Sequence, residues 1–300
     1  MIDTDNAESV FAALHGHDVL AIDGPDAASF LQAQLASDVA TLAPGDWQWS
    51  SWLSAQGRVL ALMLLLRSGT EAFHAVVSHG RGAELAARLQ RFVLRARVRI
   101  LVPGLHASGA TLAGDHGPQP LRQRGSARGS GTDWELALGG TRSRRLRIGV
   151  VAGISDPSLA WARADIDEGV PWIAAAVSDR EIPQALGLAR LAAFSVHKGC
   201  YPGQEIVART HFLGRSKRRL LRFQADTAWM PDPGADLVSA DGAASALVIS
   251  ALRDGPAIAG LVVLRGETAR RFAGPSGESL SLAELPAALP DDGKAPMIVI

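Results

Sequence analysis

The chain is short of most features that announce a function. It holds one cysteine in 300 residues, so no internal disulfide can form, and nothing points to an oxidising compartment. It has no net charge, with 30 lysines and arginines against 30 aspartates and glutamates. That balance argues against a general nucleic-acid binder and leaves only a local basic patch open. The longest apolar run, Val59 to Leu66, has eight residues, far below the roughly 20 that span a bilayer. The eight histidines are scattered and no His/Cys set has zinc spacing. No GxGxxG and no P-loop occurs. A lone cysteine cannot hold an iron–sulfur cluster by itself, and His197 three positions before Cys200 does not define a protease dyad. The first ten residues are acidic and polar, unlike a secretory signal. These absences predict a cytoplasmic protein off the membrane, with no bound metal of its own.

What is present is ordinary globular composition, 47% apolar and 20% charged over 31.5 kDa, a size that favours two domains. Only three of the 30 basic residues are lysines (Lys198, Lys217 and Lys294), a bias that reflects genome base composition more than mechanism. Apolar spacing predicts strands over 19–23, 47–53, 58–66, 71–77, 97–102, 134–138 and 146–151, and helices over 26–36, 81–94 and 158–166. In the helix over 81–94, Leu85, Leu89, Phe92 and Val93 form the apolar face, with Arg81, Arg88, Arg91 and Arg95 largely elsewhere. The Arg, Gly and Ser-rich stretch 121–132 reads as a loop or an eroded insertion. Short strands over 220–223, 247–250 and 258–264 suggest a small barrel or sandwich. The expected fold class is α+β. A body occupies 1–215, with a division near 103–133 left open, and a β-rich domain occupies 216–300.

The stretch His197-Lys-Gly-Cys-Tyr-Pro-Gly-Gln-Glu-Ile-Val-Ala-Arg209 concentrates the rare residue types: the only cysteine, one of three lysines and the only tyrosine. Pro202 suits the first turn of a helix over 204–209. Cys200 would then lie just before a helix N-terminus, where free amides and the dipole favour a thiolate, with Lys198 acting the same way if it points inward. Gly199 and Gly203 allow close backbone approach. Glu205 and Arg209 are spaced for a helix ion pair. The alternative reading is a buried structural cysteine, a turn glycine and a surface ion pair. Arg209, Arg215, Lys217, Arg218, Arg219 and Arg222 then place six cations within 209–222, readable as a seat for a polyanion such as a phosphate backbone, or as a solvated edge.

Lys198-Gly-Cys-Tyr-Pro-Gly-Gln-Glu205 resembles the K-G-C-[FY]-x-G-Q-E signature of the YgfZ family of folate-binding proteins, relatives of the glycine-cleavage T-protein (aminomethyltransferase). The stretches 22–26, 30–34 and 38–39, Gly57-Arg58-Val59-Leu60, Trp161 through Gly169-Val-Pro171, and Ile182-Pro-Gln184 extend the likeness over about residues 19 to 225. The resemblance implies a ring-like, T-protein-like body of mixed sheets and helices, a C-terminal β-barrel and a site for tetrahydrofolate or a derivative. It also implies a role in iron–sulfur cluster assembly or maintenance, including clusters of tRNA-modifying enzymes, with iron–sulfur proteins or their assembly machinery as partners. Residue by residue, it implies folate stacking by Trp161, pterin pairing by Asp167 or its neighbour Glu168, and a motif thiol at Cys200 beside the cavity mouth.

Two departures stand out. Gly187 occupies the position where the family usually has Asn. The T-protein's pair of aspartates falls on Ala61-Leu62, and no acid lies between Arg58 and Leu66. Without that carboxylate, aminomethyl transfer lacks its main electrostatic group. Folate-dependent one-carbon transfer and a protein-interaction scaffold with a degenerate folate site are therefore the rival readings.

Overall fold

The computed structural model describes residues 11–111, 121–150, 158–214, 216–239, 242, 244–266, 271–274 and 279–286. Arg215 of the basic run, Val151 and Lys294 fall outside them. The first half runs β1 (Ala12–Asp23), α1 (Ala27–Gln34), β2 (Asp46–Leu53), β3 (Val59–Arg67), β4 (Ala72–Val77), α2 (Gly82–Gln90), β5 (Arg99–Leu101) and β6 (His106–Thr111). Then follow β7 (Arg124–Ser130), β8 (Asp133–Gly139), β9 (Arg144–Gly149), α3 (Ser158–Glu168) and α4 (Gln204–Leu213). The last part is β10 (Arg219–Asp226), β11 (Asp236–Val238), β12 (Ala244–Asp254), β13 (Ala257–Gly266), β14 (Arg271–Ala273) and β15 (Ser279–Ala283).

Eight strands close into an antiparallel ring in the order β1-β4-β3-β2-β7-β8-β9-β6, with β6 returning to β1 and β5 added beside it. Closure is possible because β1 is long: its first residues pair with β6, and Asp18 to Asp23 pair with β4. The remaining strands form a second sheet, β11-β12-β13-β10-β15-β14, which curls until Ser239 beyond β11 bridges Phe272 in β14. The α+β class, with strand barrel and curled sheet, is the observed architecture.

The apolar run of β3 is explained by burial on both faces. Leu62, Leu64 and Leu66 enter one core with Trp49 and Trp134, while Ala61, Met63 and Leu65 enter another with Phe30 of α1 and Leu85 of α2. Strand alternation does the same in β10, where Leu220 joins the first core and Leu221 a third, wholly within the curled sheet. Ala61 and Leu62 are 2% and 1% exposed, so the strand that lacks a carboxylate is also sealed from solvent.

Three expectations need correction. Residues 124–130 are a strand, not a loop, and pair with β2 on one side and β8 on the other. Their backbone ladder does the work, and Gly125 leaves room for Trp47, since a Cβ there would stand 3.1 Å from the indole Nε1. The helix expected over 81–94 stops at Gln90, and Arg81 is its N-cap. Arg81 is 4% exposed and donates to the carbonyls of Leu60 and Ile173, both at 3.0 Å, as well as to Glu84. The helix expected over 26–36 stops at Gln34, where Leu35 turns extended.

Glu181 ties the two sheets together. Its carboxylate is fully buried and accepts from Arg218 at 2.9 Å and from Arg265 of β13 at 2.6 Å, while its backbone carbonyl accepts from Val59 of β3 at 2.8 Å. Both arginines retain some water contact, which limits the penalty of losing their partner. Glu181→Ala is expected to destabilise the protein by about 2 kcal/mol, read as a lowered urea midpoint. An unchanged midpoint would mean that the clamp contributes nothing.

Candidate functional site

The segment from Ser195 to α4 is built on its own polar contacts. Ser195 hydrogen-bonds through its amide to Ala36, and its Oγ accepts from the amides of His197 and Lys198. Lys198 is 7% exposed. Its ammonium donates to the carbonyls of Leu35 at 2.6 Å and Ser37 at 3.0 Å, and to that of Gln32. These oxygens lie at the C-terminus of α1, where a cation also meets the negative end of the helix dipole. The ammonium is therefore committed to α1. Burial lowers its pKa to about 8.

Tyr201 packs beneath that ammonium, 5.2 Å from its ring centre, and donates its hydroxyl to Ser195 O at 2.8 Å. Burial pushes the phenol up to about 12. Tyr201 is the only tyrosine in the chain, so tyrosinate absorbance reports it alone. Ionisation is expected near pH 12 in the folded protein and near the ordinary value of about 10 in denaturant. A native midpoint at 10 would show the ring to be solvated.

Gly203 has φ +77° and caps α4. A Cβ on it would stand 2.4 Å from Gly57 Cα and 2.6 Å from Ser54 O. Gly57, with φ +71°, is also close to α4, with a built Cβ 2.9 Å from Ile206 Cβ and 3.1 Å from Gly203 O. The two glycine-bearing motifs thus meet face to face. Pro202 precedes the cap rather than sitting in the first helical turn. Gln204 donates to Lys198 O at 3.1 Å, closing the loop. Gly199 has open space around it, and nothing in the structure explains glycine there. Glu205 and Arg209 form an ion pair at 3.2 Å on the exposed face of α4. Cys200 is exposed and free, three positions before the cap.

α3 divides the neighbouring carboxylates by its periodicity. Asp167 points outward to Arg163 at 3.2 Å and Arg222 at 3.7 Å. Glu168 is buried and accepts the amide of Thr141 at 2.5 Å. Asp165, which drew no attention in the sequence, is buried too. It accepts from Arg144 at 2.7 Å and from the indole of Trp172 at 2.9 Å.

Trp161 belongs to this interior. It is 3% exposed, with the Arg144 guanidinium 4.8 Å from its ring centre, and Gly109 makes room for it, since a Cβ there would be 2.5 Å from the indole. Stacking by Trp161 would require that packing to open. His17 stands edge-on to Trp172 at 5.3 Å, and burial holds its pKa below the usual histidine value against the opposing pull of Asp165.

A cavity of about 320 Å³ lies between Gln184, Gly187, Arg190, Leu220, Leu285 and Pro286. The ion pair Arg219–Glu284, at 2.7 Å, completes its lining. Gln184 comes from the Ile-Pro-Gln run, and its amide donates to Val207 O in α4 at 2.9 Å. Gly187 leaves space where the family usually has an Asn side chain. Arg190 reaches Pro286 O at 3.2 Å, and burial lowers its pKa against the pull of Glu168. Two buried polar atoms of the lining have no partner, Gln184 Oε1 and Arg190 Nε. One acceptor and one donor of these lining residues are therefore unpaired, each closed off from solvent. Trp161 and Cys200 are not part of this lining.

The basic run is largely neutralised. Arg209 pairs with Glu205, Arg218 with Glu181, Arg219 with Glu284 and Arg222 with Asp167. Of its described members, only the exposed Lys217 has no ion pair. No group of three or more His, Cys, Asp or Glu that could hold a metal occurs among the described residues. None of their helices is long and apolar enough to cross a membrane.

No family model matches the chain. It is 28% identical over 241 residues to the tRNA-modifying protein YgfZ of Edwardsiella ictaluri, covering 72% of this chain and 71% of that one. It is 28% identical over 238 residues to the protein of that name from Cronobacter sakazakii, with the same coverage. The resemblance read from the motif therefore extends over most of the chain. Among solved structures, the glycine cleavage system aminomethyltransferase T of Bartonella henselae superposes with a TM-score of 0.67 at 15% identity, over 92% of this chain and 84% of that one. That likeness establishes the T-protein fold.

Proposed function

We propose that the protein binds a reduced folate and supports iron–sulfur cluster assembly or maintenance, including clusters of tRNA-modifying enzymes, with Cys200 as its reactive group. The observation that carries the folate reading is the cavity beside Gln184 and Arg190. At about 320 Å³ it lies at the lower end of small-molecule sites, suited to a ring system more than to a whole folate with its tail. A pterin has adjacent donor and acceptor edges, which would match the unpaired Arg190 Nε and Gln184 Oε1 once the lining shifts to expose them, and a flat body that suits Leu220, Leu285 and Pro286. Glu168 supports Arg190 electrostatically from α3. Asp167, engaged by Arg163 and Arg222, is the less suitable of the two carboxylates.

Cys200 is carried into the reading by the motif and by its exposure. The remaining motif contacts hold the loop that presents it, and its sulfur would serve as a ligand to iron while a cluster is assembled or maintained. Aminomethyl transfer is disfavoured because β3 carries no acid.

Titration calorimetry with tetrahydrofolate, under anaerobic conditions, tests the site. Saturable binding is expected for the wild type, weakened at least tenfold in Arg190→Met with the circular dichroism spectrum unchanged. No heat at millimolar ligand would overturn the folate reading and leave the scaffold alternative. The Cys200 step is tested separately in a bacterium lacking its own homologue, by the fraction of tRNA nucleosides modified by an iron–sulfur enzyme. Cys200→Ala is expected to fall to the level of the deletion, whereas full modification would remove the cysteine from the account.

A further inference from the structure

A second basic stretch is neutralised far less than the one after the motif. From Arg88 to Val102 the chain reads RLQRFVLRARVRILV, with five arginines and no acid. It covers the end of α2, the turn beyond it and β5. Arg88 is held by Glu84 at 3.4 Å and Arg97 by Asp26 at 3.3 Å. Arg91, Arg95 and Arg99 have no ion-pair partner among the described residues, although Asp23 stands opposite Arg99 across the β1–β5 pair. All three are exposed. The chain as a whole is neutral, so this is a local concentration of charge.

Exposed apolar groups accompany the arginines. Phe92 is 49% exposed and Leu94 87%, with Leu101 and Val102 at the far end. From 95 to 101 exposure alternates, so Arg95, Arg97, Arg99 and Leu101 all face solvent while Ile100 is buried. Within β5, Arg99 and Leu101 lie about 6–7 Å apart, and Arg95 and Arg97 come from the segment between the turn and the strand. Among the described residues β5 pairs only with β1 and ends the strand order, so no described strand covers the row.

We propose that this face binds RNA, through phosphate contacts from Arg91, Arg95 and Arg99 and base stacking on Phe92. A row of guanidiniums beside an exposed aromatic ring is the combination that follows a nucleic-acid backbone while holding its bases. A membrane-inserting face would segregate its apolar side chains from its cations; here the arginines stand between Leu94 and Leu101. The proposal is independent of the folate reading, because none of these residues lines the cavity.

Fluorescence anisotropy with labelled bulk transfer RNA tests it. Binding is expected to weaken with salt. The triple variant Arg91→Glu/Arg95→Glu/Arg99→Glu should lose at least tenfold in affinity and flatten the slope of log K against log salt by about 2 to 3. Phe92→Ala should weaken binding without changing that slope. The three arginines are on the surface, and Phe92 is half exposed with its ring edge-on to Trp52 at 6.1 Å, so unchanged circular dichroism, an unchanged urea midpoint and unchanged tetrahydrofolate heats are the controls. Wild-type affinity in the triple variant, or absence of salt-dependent RNA binding, would overturn the proposal. So would binding to phosphatidylserine vesicles lost in the triple variant while RNA binding persists.

Discussion

Lys198→Met is expected to destabilise the protein by about 4 kcal/mol, the larger of the two strongest effects foreseen here. Three carbonyls, from Gln32, Leu35 and Ser37, converge on one ammonium in a site 7% exposed. Methionine fills the volume but donates nothing, and each buried acceptor left without a donor costs on the order of 1–3 kcal/mol. Water entering beside α1 offsets part of the sum. Urea denaturation at pH 7 measures the loss, and a change below 1 kcal/mol would mean that solvent already serves these oxygens. A pH series gives an independent sign. The folded amine, with a pKa near 8, sheds its proton before the unfolded one does near 10.4, so the unfolded state binds more protons between those values. The Lys198 contribution to stability therefore rises from pH 8 toward pH 10, a slope that Lys198→Met should lack. Beyond pH 10 Tyr201 acts in the opposite direction, because its raised pKa keeps it protonated only in the folded chain.

Gly203→Ala comes next, at about 3 kcal/mol. The added methyl would meet backbone atoms of Gly57 and Ser54 at 2.4–2.6 Å, and backbone cannot rotate aside as a flexible side chain can. The left-handed φ of +77° adds about 1 kcal/mol for any residue with a Cβ. The strand-to-helix contact must open, which moves the loop that carries Cys200. A lower melting temperature is expected together with a changed rate of Cys200 alkylation. If both stay at the wild-type value, the close approach of Gly57 and Gly203 is not a constraint.

These two residues show what the sequence could and could not convey. The signature 198–205 was legible as a unit because it gathers rare residue types, and the apolar run of β3 was legible because a strand buried on both faces has no polar alternation. The division of labour inside the signature was not legible. Lys198 next to Cys200 in sequence looks like a neighbouring charge, yet its long side chain reaches the end of α1, more than 160 positions earlier in the chain. The strand 124–130 was hidden because its backbone pairs on both sides and needs no apolar side chains. Arg190 was hidden by composition, as one of 27 arginines. Asp165 was hidden because three carboxylates within four residues look alike until helical periodicity turns Asp167 outward and Asp165 and Glu168 inward. The basic run 209–222 was readable either as a binding seat or as a solvated edge because its partners, Glu181, Glu284 and Asp167, all lie outside it in sequence.

The most direct test of the account is a crystal structure of the protein grown with a reduced folate. The account predicts pterin density in the cavity bounded by Gln184, Arg190 and Leu285, with Arg190 Nε and Gln184 Oε1 hydrogen-bonded to the ring and Trp161 still packed against Arg144. A pterin stacked on a displaced Trp161, with that cavity empty, would contradict it.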